Sequence, residues 1–159
     1  MRIEEEIKLD YSDVLFRPKR STLKSRKDVD LNRTYKFKHS KFTWKGTPII
    51  ASNMDGVGEI NLAKKLLSHK LMTALTKQHT LNQISSIYKN SDFHKLVALS
   101  CGTSKDSFNR LNKILQKFPK FEFICIDVAN GYSERFSAFL KSVRDKYPTK
   151  TIIAGNVVT

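Results

Sequence analysis

Three residues with chemically useful side chains stand where apolar stretches of the sequence end. Asp127, Lys77 and Thr103 each follow a short run of apolar residues. A carboxylate accepts hydrogen bonds from sugar hydroxyls, an ammonium group donates a proton to a leaving group or steadies a carbonyl, and a hydroxyl can do either. If the three side chains converge, they suit a polar, phosphorylated or hydroxylated substrate.

Each of these residues also has a purely structural interpretation. Asp127 can cap the next helix or brace its loop, Lys77 can be an ordinary surface lysine, and Thr103 can cap the helix that starts near Ser104. Cys101 lies close to Thr103 and has the chemistry of a nucleophile, but its apolar strand pattern buries it equally well. The sequence leaves these alternatives open.

The segments that position these residues alternate between two patterns. Short, unbroken apolar runs are typical of strands buried on both faces, and the stretches between them have the spacing of amphipathic helices. The predicted strands are residues 48–52, 71–75, 96–100, 121–126 and 151–155, and the predicted helices are residues 59–69, 80–89, 104–118 and 133–147. Strict alternation implies right-handed crossovers and a parallel sheet, which gathers the candidate side chains at its carboxyl edge.

Two α/β architectures fit this order, a doubly wound open sheet and a (β/α)8 barrel. No covering helix follows the fifth strand, and an uncovered apolar edge strand invites aggregation, so the pattern favours about five of the eight strands of a TIM barrel. We therefore expect two regions. Residues 1–47 are predicted to be an N-terminal extension with a short hairpin (35–38 with 42–44) that plugs the barrel bottom, and residues 48–159 the first five β/α units of a truncated barrel.

Composition narrows the class of protein. The net charge of +14 favours anionic partners, but lysines are spread over the whole length, and no phosphate loop, zinc finger or RNA-binding signature appears. The charge alone motivates one further hypothesis, a basic nucleic-acid-binding domain. Cys101 and Cys125 read as reduced core thiols of a cytoplasmic protein, and we expect no metal site, no membrane contact and no nucleic-acid partner.

Several longer stretches carry a family resemblance. They are RPKRSTLKSR (17–26), PIIA (48–51) leading to NMD (53–55), GTS (102–104), CIDVANGYSE (125–134) and AGNVVT (154–159). Together they resemble the GMP reductases, in the family that also contains the IMP dehydrogenases, and the likeness spans nearly the whole chain. The combination of DVANGY with the terminal AGNVVT is similar to the reductases and not to the dehydrogenases.

The resemblance implies a (β/α)8 barrel enzyme, usually tetrameric, that reduces GMP to IMP with NADPH and releases ammonia, balancing the purine pools. It implies that Ser25 and Arg26 contact NADPH, with the arginine suited to a 2′-phosphate. It places Lys77 near the nicotinamide and the departing amine, as a catalytic and cofactor-binding residue, and Thr103 beside it as a catalytic residue. The remaining implied contacts, to the nicotinamide riboside, come from Asp127, Val128 and Ala129.

The resemblance also implies that several functional groups of the family are not among these 159 residues. In the family, a cysteine attacks C2 of the purine from a loop after the fifth strand, which would lie beyond residue 159, and neither Cys101 nor Cys125 matches it. The monovalent-cation (K+) loop and the GMP phosphate clamp would lie beyond that residue too. We therefore expect the N-terminal part of a GMP reductase, inactive alone. The alternative is a non-catalytic NADPH-binding module, or a subunit that needs a C-terminal partner.

Overall fold

The computed structural model describes residue 3, residues 5–90 and residues 92–158, and it divides into two compact units, Met1–Asp30 and Leu31–Thr159. The ends of the two predicted regions, residues 1 and 159, lie outside the described residues, as does the last residue of the AGNVVT stretch. The predicted boundary after residue 47 stays a prediction. Within the described part, no helix is both long and apolar enough to cross a membrane.

The first unit consists of extended chain and two short 3-10 turns, Tyr11–Asp13 and Arg26–Asp28. Both turns are closed by capping boxes, in which Asp10 and Ser25 accept hydrogen bonds from the turn backbone. None of the residues described between 3 and 30 is buried. Local hydrogen bonds therefore organise this unit, and a hydrophobic core does not.

The second unit opens with an antiparallel hairpin of β1 (Arg33–Lys36) and β2 (Thr43–Gly46). The hairpin was predicted, but its first strand begins two residues earlier than expected and ends before Phe37, whose N–H closes the turn on the carbonyl of Phe42. Three hairpin aromatics, Phe37, Phe42 and Trp44, pack against the inner face of the main sheet. The hairpin therefore covers the amino-terminal end of that face.

Five parallel strands form the main sheet, and their spatial order is their order along the chain. They are β3 (Ile50–Ala51), β4 (Met72–Leu75), β5 (Val97–Cys101), β6 (Phe123–Asp127) and β7 (Thr151–Gly155). A doubly wound sheet reverses its strand order at a switch point, and this sheet does not. The order decides between the two predicted architectures in favour of the barrel type.

Five helices connect these strands: α1 (Ile60–Leu67), α2 (Leu81–Tyr88), α3 (Phe93–Leu96), α4 (Lys105–Lys117) and α5 (Glu134–Lys146). Four were predicted, and α3 was not, because a single turn is too short to give a periodic pattern. Leu96 consequently ends α3 and does not start β5. Strand β3 is also shorter than the predicted 48–52, since only Ile50 and Ala51 pair with a neighbour at this sheet edge.

The sheet separates two apolar clusters. Alternate residues of β6 show the division: Ile124 and Ile126 pack with the helices, whereas Phe123 and Cys125 face the hairpin side. Phe123 meets the rings of Phe37 and Phe42 edge-on, with centroids 5.5 and 5.7 Å away. Burial of β4, β5 and β6 on both faces explains why their sequences are mainly apolar, and charged side chains are left to the strand ends.

Candidate functional site

A polar cavity of ≈ 150 Å³ lies at the carboxyl ends of four neighbouring strands. Its lining residues come from the last positions of β5 and β6 and from the loops after β3, β4 and β5: Asn53, Asp55, Thr76, Lys77, Gln78, Ser100, Cys101, Gly102 and Asp127. The structure thus brings together Lys77 and Asp127, which are 50 residues apart in sequence. We call this space the mouth cavity.

Asp127 faces the mouth cavity from the end of β6 and is exposed. Its Oδ2 accepts a hydrogen bond from the side-chain amide of Asn53 at 3.2 Å, across the mouth from the β3 loop. The next helix is capped by Ser133, so Asp127 is not a helix cap. One hydrogen bond leaves most of the lone-pair capacity of the carboxylate free for a ligand.

The loop that carries Lys77 is anchored on both sides. His79 is buried, and its Nε2 lies 3.0 Å from the carbonyl of Gly58 and 3.6 Å from the carboxylate of Glu59. From the other side, the Arg110 guanidinium on α4 donates a hydrogen bond to the carbonyl of His79. His79 therefore has a structural role, and the exposed Lys77 is presented by a loop whose backbone is held in place.

Thr103 lies half-buried at the start of the β5–α4 loop, next to Gly102, but it does not line the mouth cavity. The cap of α4 is Ser104, whose Oγ accepts from the N–H of Ser107 at 3.2 Å. The structural interpretation of Thr103 as a helix cap is therefore wrong. Ser104, which follows it in sequence, fills that position with the extended backbone, φ −75° and ψ 151°, that precedes the helix.

Val128 and Ala129 follow Asp127 but do not line the mouth cavity. The Val128 side chain packs against the apolar cluster between the sheet and the helices, which includes Ile124 and Ile126. Its N–H donates to Gly155, and its carbonyl accepts from Asn156, so the strand pairing continues past the end of β6. Ala129 is exposed. These two residues fix the course of the loop, and Asp127 is the member of the predicted trio that presents a polar side chain.

Ser25 and Arg26 belong to the first unit. Ser25 is the cap of the second 3-10 turn, with its Oγ accepting from the N–H of Lys27 at 3.2 Å, and Arg26 is the first residue of that turn. Both side chains are exposed. A guanidinium on an exposed, capped turn is chemically suited to a phosphate.

Neither thiol has the electrostatic setting of a nucleophile. Burial raises the pKa of Cys101, and the Ser107 hydroxyl, Arg110 and Lys77 offset that effect only in part. Burial also raises the pKa of Cys125; the Ser100 hydroxyl opposes this, and the charge of Asp127 adds to it. A raised pKa favours the protonated form of both thiols, which disfavours Cys101 as a nucleophile.

A second cavity, of ≈ 320 Å³, adjoins the mouth cavity and shares Asn53 and Asp127 with it. It runs along the inner face of the sheet between β3 and β7, where Cys125 and Ile153 line it. The hydrogen-bonded pair of Asn53 and Asp127 therefore lies at the border of the two cavities. Among the described residues, no group of three or more His, Cys, Asp or Glu side chains could hold a metal ion.

Two residues of this region were not singled out from sequence. Asn53 lies within the NMD stretch of the resemblance, which was a usable signal, but its pairing with Asp127 depends on the fold. Arg110 gives no sequence signal, because a charged residue on an amphipathic helix is ordinary. Its role emerges only from its hydrogen bond to the loop of Lys77.

Comparison with known proteins supplies the context for this site. Residues 8–159 match the family model described as the IMP dehydrogenase / GMP reductase domain. The chain is 52% identical over 161 residues to proteins named GMP reductase from Klebsiella pneumoniae and from Vibrio atlanticus, covering all of this chain and 46% of each relative. It therefore spans about half the length of the curated relatives that it matches, corresponding to their N-terminal part.

A solved structure is also similar, that of inosine 5′-monophosphate dehydrogenase from Legionella pneumophila. The TM-score is 0.69 at 27% identity, over 93% of this chain and 44% of that one. This likeness and the singly wound parallel sheet confirm the predicted fold class, a partial TIM barrel.

Proposed function

Because this chain belongs to the IMP dehydrogenase / GMP reductase family, we propose that it forms the N-terminal part of a GMP reductase. Membership confirms the family resemblance found in the sequence. The proposed reaction replaces the amine at C2 of the purine of GMP with hydrogen, giving IMP and ammonia. NADPH supplies the hydride when it is bound.

The observation that carries this proposal is the level of identity along the whole chain. Relatives named GMP reductase share 52% of its residues from end to end, whereas the solved dehydrogenase shares 27% over 93% of the chain. The difference supports the reductase branch. The mouth cavity supports the same conclusion, because its charged residues stand at the carboxyl ends of the strands, where TIM-barrel enzymes do their chemistry.

The residues at the mouth fit part of a dinucleotide. At ≈ 150 Å³ the cavity is smaller than the roughly 300–1,000 Å³ of a typical ligand pocket, so it suits one ring or one sugar and not a whole cofactor. Asp127 is exposed and can accept hydrogen bonds from two ribose hydroxyls while Asn53 holds one of its oxygens. We therefore assign the nicotinamide riboside end of NADPH to this cavity.

The proposed roles follow from these positions. Asp127 holds the ribose, with Val128 and Ala129 shaping the loop below it, and Lys77 donates a proton to the departing amine. Thr103 is proposed to hydrogen-bond in the same step, from the loop that contributes Gly102 to the cavity lining. Ser25 and Arg26 are proposed to bind the adenosine-phosphate end, where an arginine would favour a 2′-phosphate.

The nucleophile of the reaction is proposed to come from outside these 159 residues. Both thiols present are buried and held protonated, so neither is suited to attack C2. We infer that the 159 residues alone bind NADPH without reducing GMP, which is also what a binding module that needs a C-terminal partner would do. A tetrameric assembly, a K+ site formed by other residues and a cytoplasmic location are likewise proposals that rest on the family.

A chimeric enzyme tests the proposal. The 159 residues replace the matching N-terminal residues of the Klebsiella pneumoniae GMP reductase, and GMP-dependent NADPH oxidation and ammonia release are measured. We expect activity in the chimera and none in the 159 residues alone. Lys77→Ala in the chimera is expected to lower kcat by about 100-fold or more, the usual effect of losing a general acid.

Lys141→Ala is the matched control, because Lys141 is an exposed lysine on α5 that does not line the mouth cavity. It is expected to leave kcat unchanged. A folded chimera that binds GMP and NADPH but releases no ammonia would contradict the proposed function. Full activity after Lys77→Ala would contradict the role of Lys77.

A further inference from the structure

A further cavity lies at the opposite end of the sheet from the mouth cavity. It has a volume of ≈ 610 Å³ and is lined by Phe42, Thr43, Lys45, Lys64, Leu67, Ser68, Lys70, Asp92, Lys95 and Leu96. These residues come from β2, the end of α1, the loop before β4 and the α3 region. None of them lines the mouth cavity. We call this space the lysine cavity.

Positive charge predominates around the lysine cavity. Four of its lining residues are exposed lysines, and among the described residues none of the four has a carboxylate within 4.0 Å. Asp92 is the one acidic residue in the lining. Ammonium groups gathered around one concave space repel each other and raise the local concentration of anions. A bound anion would supply the missing counter-charge.

One of these lysines occupies a costly backbone conformation. Lys70 has φ of 56°, in the left-handed region that side chains other than glycine seldom adopt. Its carbonyl accepts a hydrogen bond from the N–H of Thr47 at 3.1 Å, which holds this turn against the end of β2. A lysine thus occupies a backbone position that favours glycine, and that lysine lines the cavity.

The floor of the cavity is apolar. Leu96 is buried, and Phe42 and Leu67 are half-buried, so their exposed parts face the space between the lysines. The volume lies within the roughly 300–1,000 Å³ typical of small-molecule sites. Such a site suits a compact ligand that joins several negative charges to an aromatic body, and its concave shape suits a small molecule better than a nucleic-acid strand.

We propose that the lysine cavity binds a small organic polyphosphate with an aromatic body, of the nucleoside polyphosphate class. The phosphates lie among Lys45, Lys64, Lys70 and Lys95, and the ring lies on the floor between Phe42 and Leu96. This site is separate from the proposed NADPH site, and the proposal that it binds a polyphosphate does not depend on the proposed reaction.

Calorimetric titration of the chain tests this proposal, with ATP, inorganic tripolyphosphate and adenosine as probes. We expect saturable binding of ATP, binding of tripolyphosphate that is weaker by about tenfold or more because the ring contact is missing, and no measurable binding of adenosine. The variant Lys64→Gln with Lys95→Gln is expected to weaken ATP binding by about tenfold or more, since each ammonium makes a charge-assisted contact.

The control pair is Lys89→Gln with Lys141→Gln, which removes the same charge from exposed positions that do not line the lysine cavity. It is expected to bind ATP like the unchanged chain, as is Lys77→Gln at the mouth cavity. Equal weakening in both pairs would show only the general attraction of a chain of net charge +14 and would overturn the proposal. Loss of ATP binding in Lys77→Gln alone would place the site at the mouth cavity instead. Equal affinities for ATP and tripolyphosphate would overturn the role of the apolar floor.

Discussion

Replacing Gly58 with alanine gives the sharpest test of how the mouth cavity is built. Gly58 ends the β3 loop that carries Asn53 and Asp55, and its carbonyl accepts hydrogen bonds from the N–H of Thr76, at 2.9 Å, and from His79. A Cβ added at Gly58 would lie 2.6 Å from the carbonyl oxygen of Ala74 and 3.0 Å from Thr76 N. Backbone atoms on both sides leave no flexible side chain that can move away.

The magnitude follows from these distances. The loop must move by several tenths of an ångström or more, which costs about 1–3 kcal/mol as overpacking. The movement also weakens the hydrogen bond from Thr76 to Gly58, which contributes about 0.5–1.5 kcal/mol to stability. Alanine partly offsets these losses, because it reduces the conformational entropy of the unfolded chain and so stabilises the folded state by about 0.4–1 kcal/mol. We expect Gly58→Ala to lower the free energy of unfolding by about 0.5–4 kcal/mol, and to weaken NADPH binding because Asn53 moves with the loop.

Chemical denaturation followed by circular dichroism measures the free energy of unfolding, with Gly102→Ala as the matched control. A Cβ at Gly102 would meet only the Ser107 side chain, at 3.7 Å and beyond, which is ordinary contact. The control is expected to leave stability unchanged or to raise it by up to about 1 kcal/mol. If the two substitutions have the same effect, the close approach of the β3 loop to β4 is not what holds the mouth cavity together.

Three further predictions concern other parts of the chain. Burial raises the pKa values of Cys101 and Cys125, so the folded state holds the two thiol protons more tightly than the unfolded chain does. The stability that this difference contributes is complete below the ordinary thiol pKa of 9.0 and is lost as the pH rises through the folded-state pKa values. The denaturation midpoint should therefore decrease with pH above about pH 9, and the decrease should be less steep after Cys125→Ala. Lys41 has φ of 55°, so Lys41→Gly should raise stability by up to about 1 kcal/mol, whereas Lys36→Gly in β1 should lower it by about 0.5–1 kcal/mol; equal signs in thermal unfolding would refute the strain argument. Asn53→Ala should raise the Kd for NADPH about fivefold, because it removes the hydrogen-bond partner of Asp127. The control Asn109→Ala, on α4, should leave that Kd unchanged. An unchanged Kd in Asn53→Ala would mean that the Asn53–Asp127 pair does not shape the cofactor site.

Much of the fold could be predicted because the main sheet is parallel. A strand buried on both faces is apolar at nearly every position, so β4, β5 and β6 stand out without any knowledge of their neighbours. Two helix starts were also predicted closely, since Thr80 and Ser133, the first residues of the predicted helices 80–89 and 133–147, are the N-caps of α2 and α5. The bounds of an element could not be predicted where its pairing with a neighbouring strand decides them. Strand β3 is short because only two of its residues pair with β4.

The candidate site could be predicted only in part, for the same reason. The ends of parallel strands share one edge, so Lys77 and Asp127 were placed together by topology alone. The hydrogen bond between Asn53 and Asp127 and the support that Arg110 gives to the Lys77 loop required coordinates. The lysine cavity was hidden for a further reason, because its lysines lie in four separate segments and look in sequence like a solvated surface.

Mapping NADPH onto the chain by backbone amide chemical shifts tests the central claim most directly. The claim predicts that NADPH added to the labelled chain shifts the amides that surround the mouth cavity. Those are the amides of Asn53, Asp55, Lys77, Gln78, Gly102, Asp127 and their neighbours. The shift changes caused by NADPH should be smaller in Asp127→Asn. They should be unaffected in the control Asp106→Asn, because Asp106 is an exposed acid on α4 that does not line the mouth cavity. Shifts confined to the hairpin and the amino-terminal ends of β4 and β5, or none at all with millimolar NADPH, would contradict it.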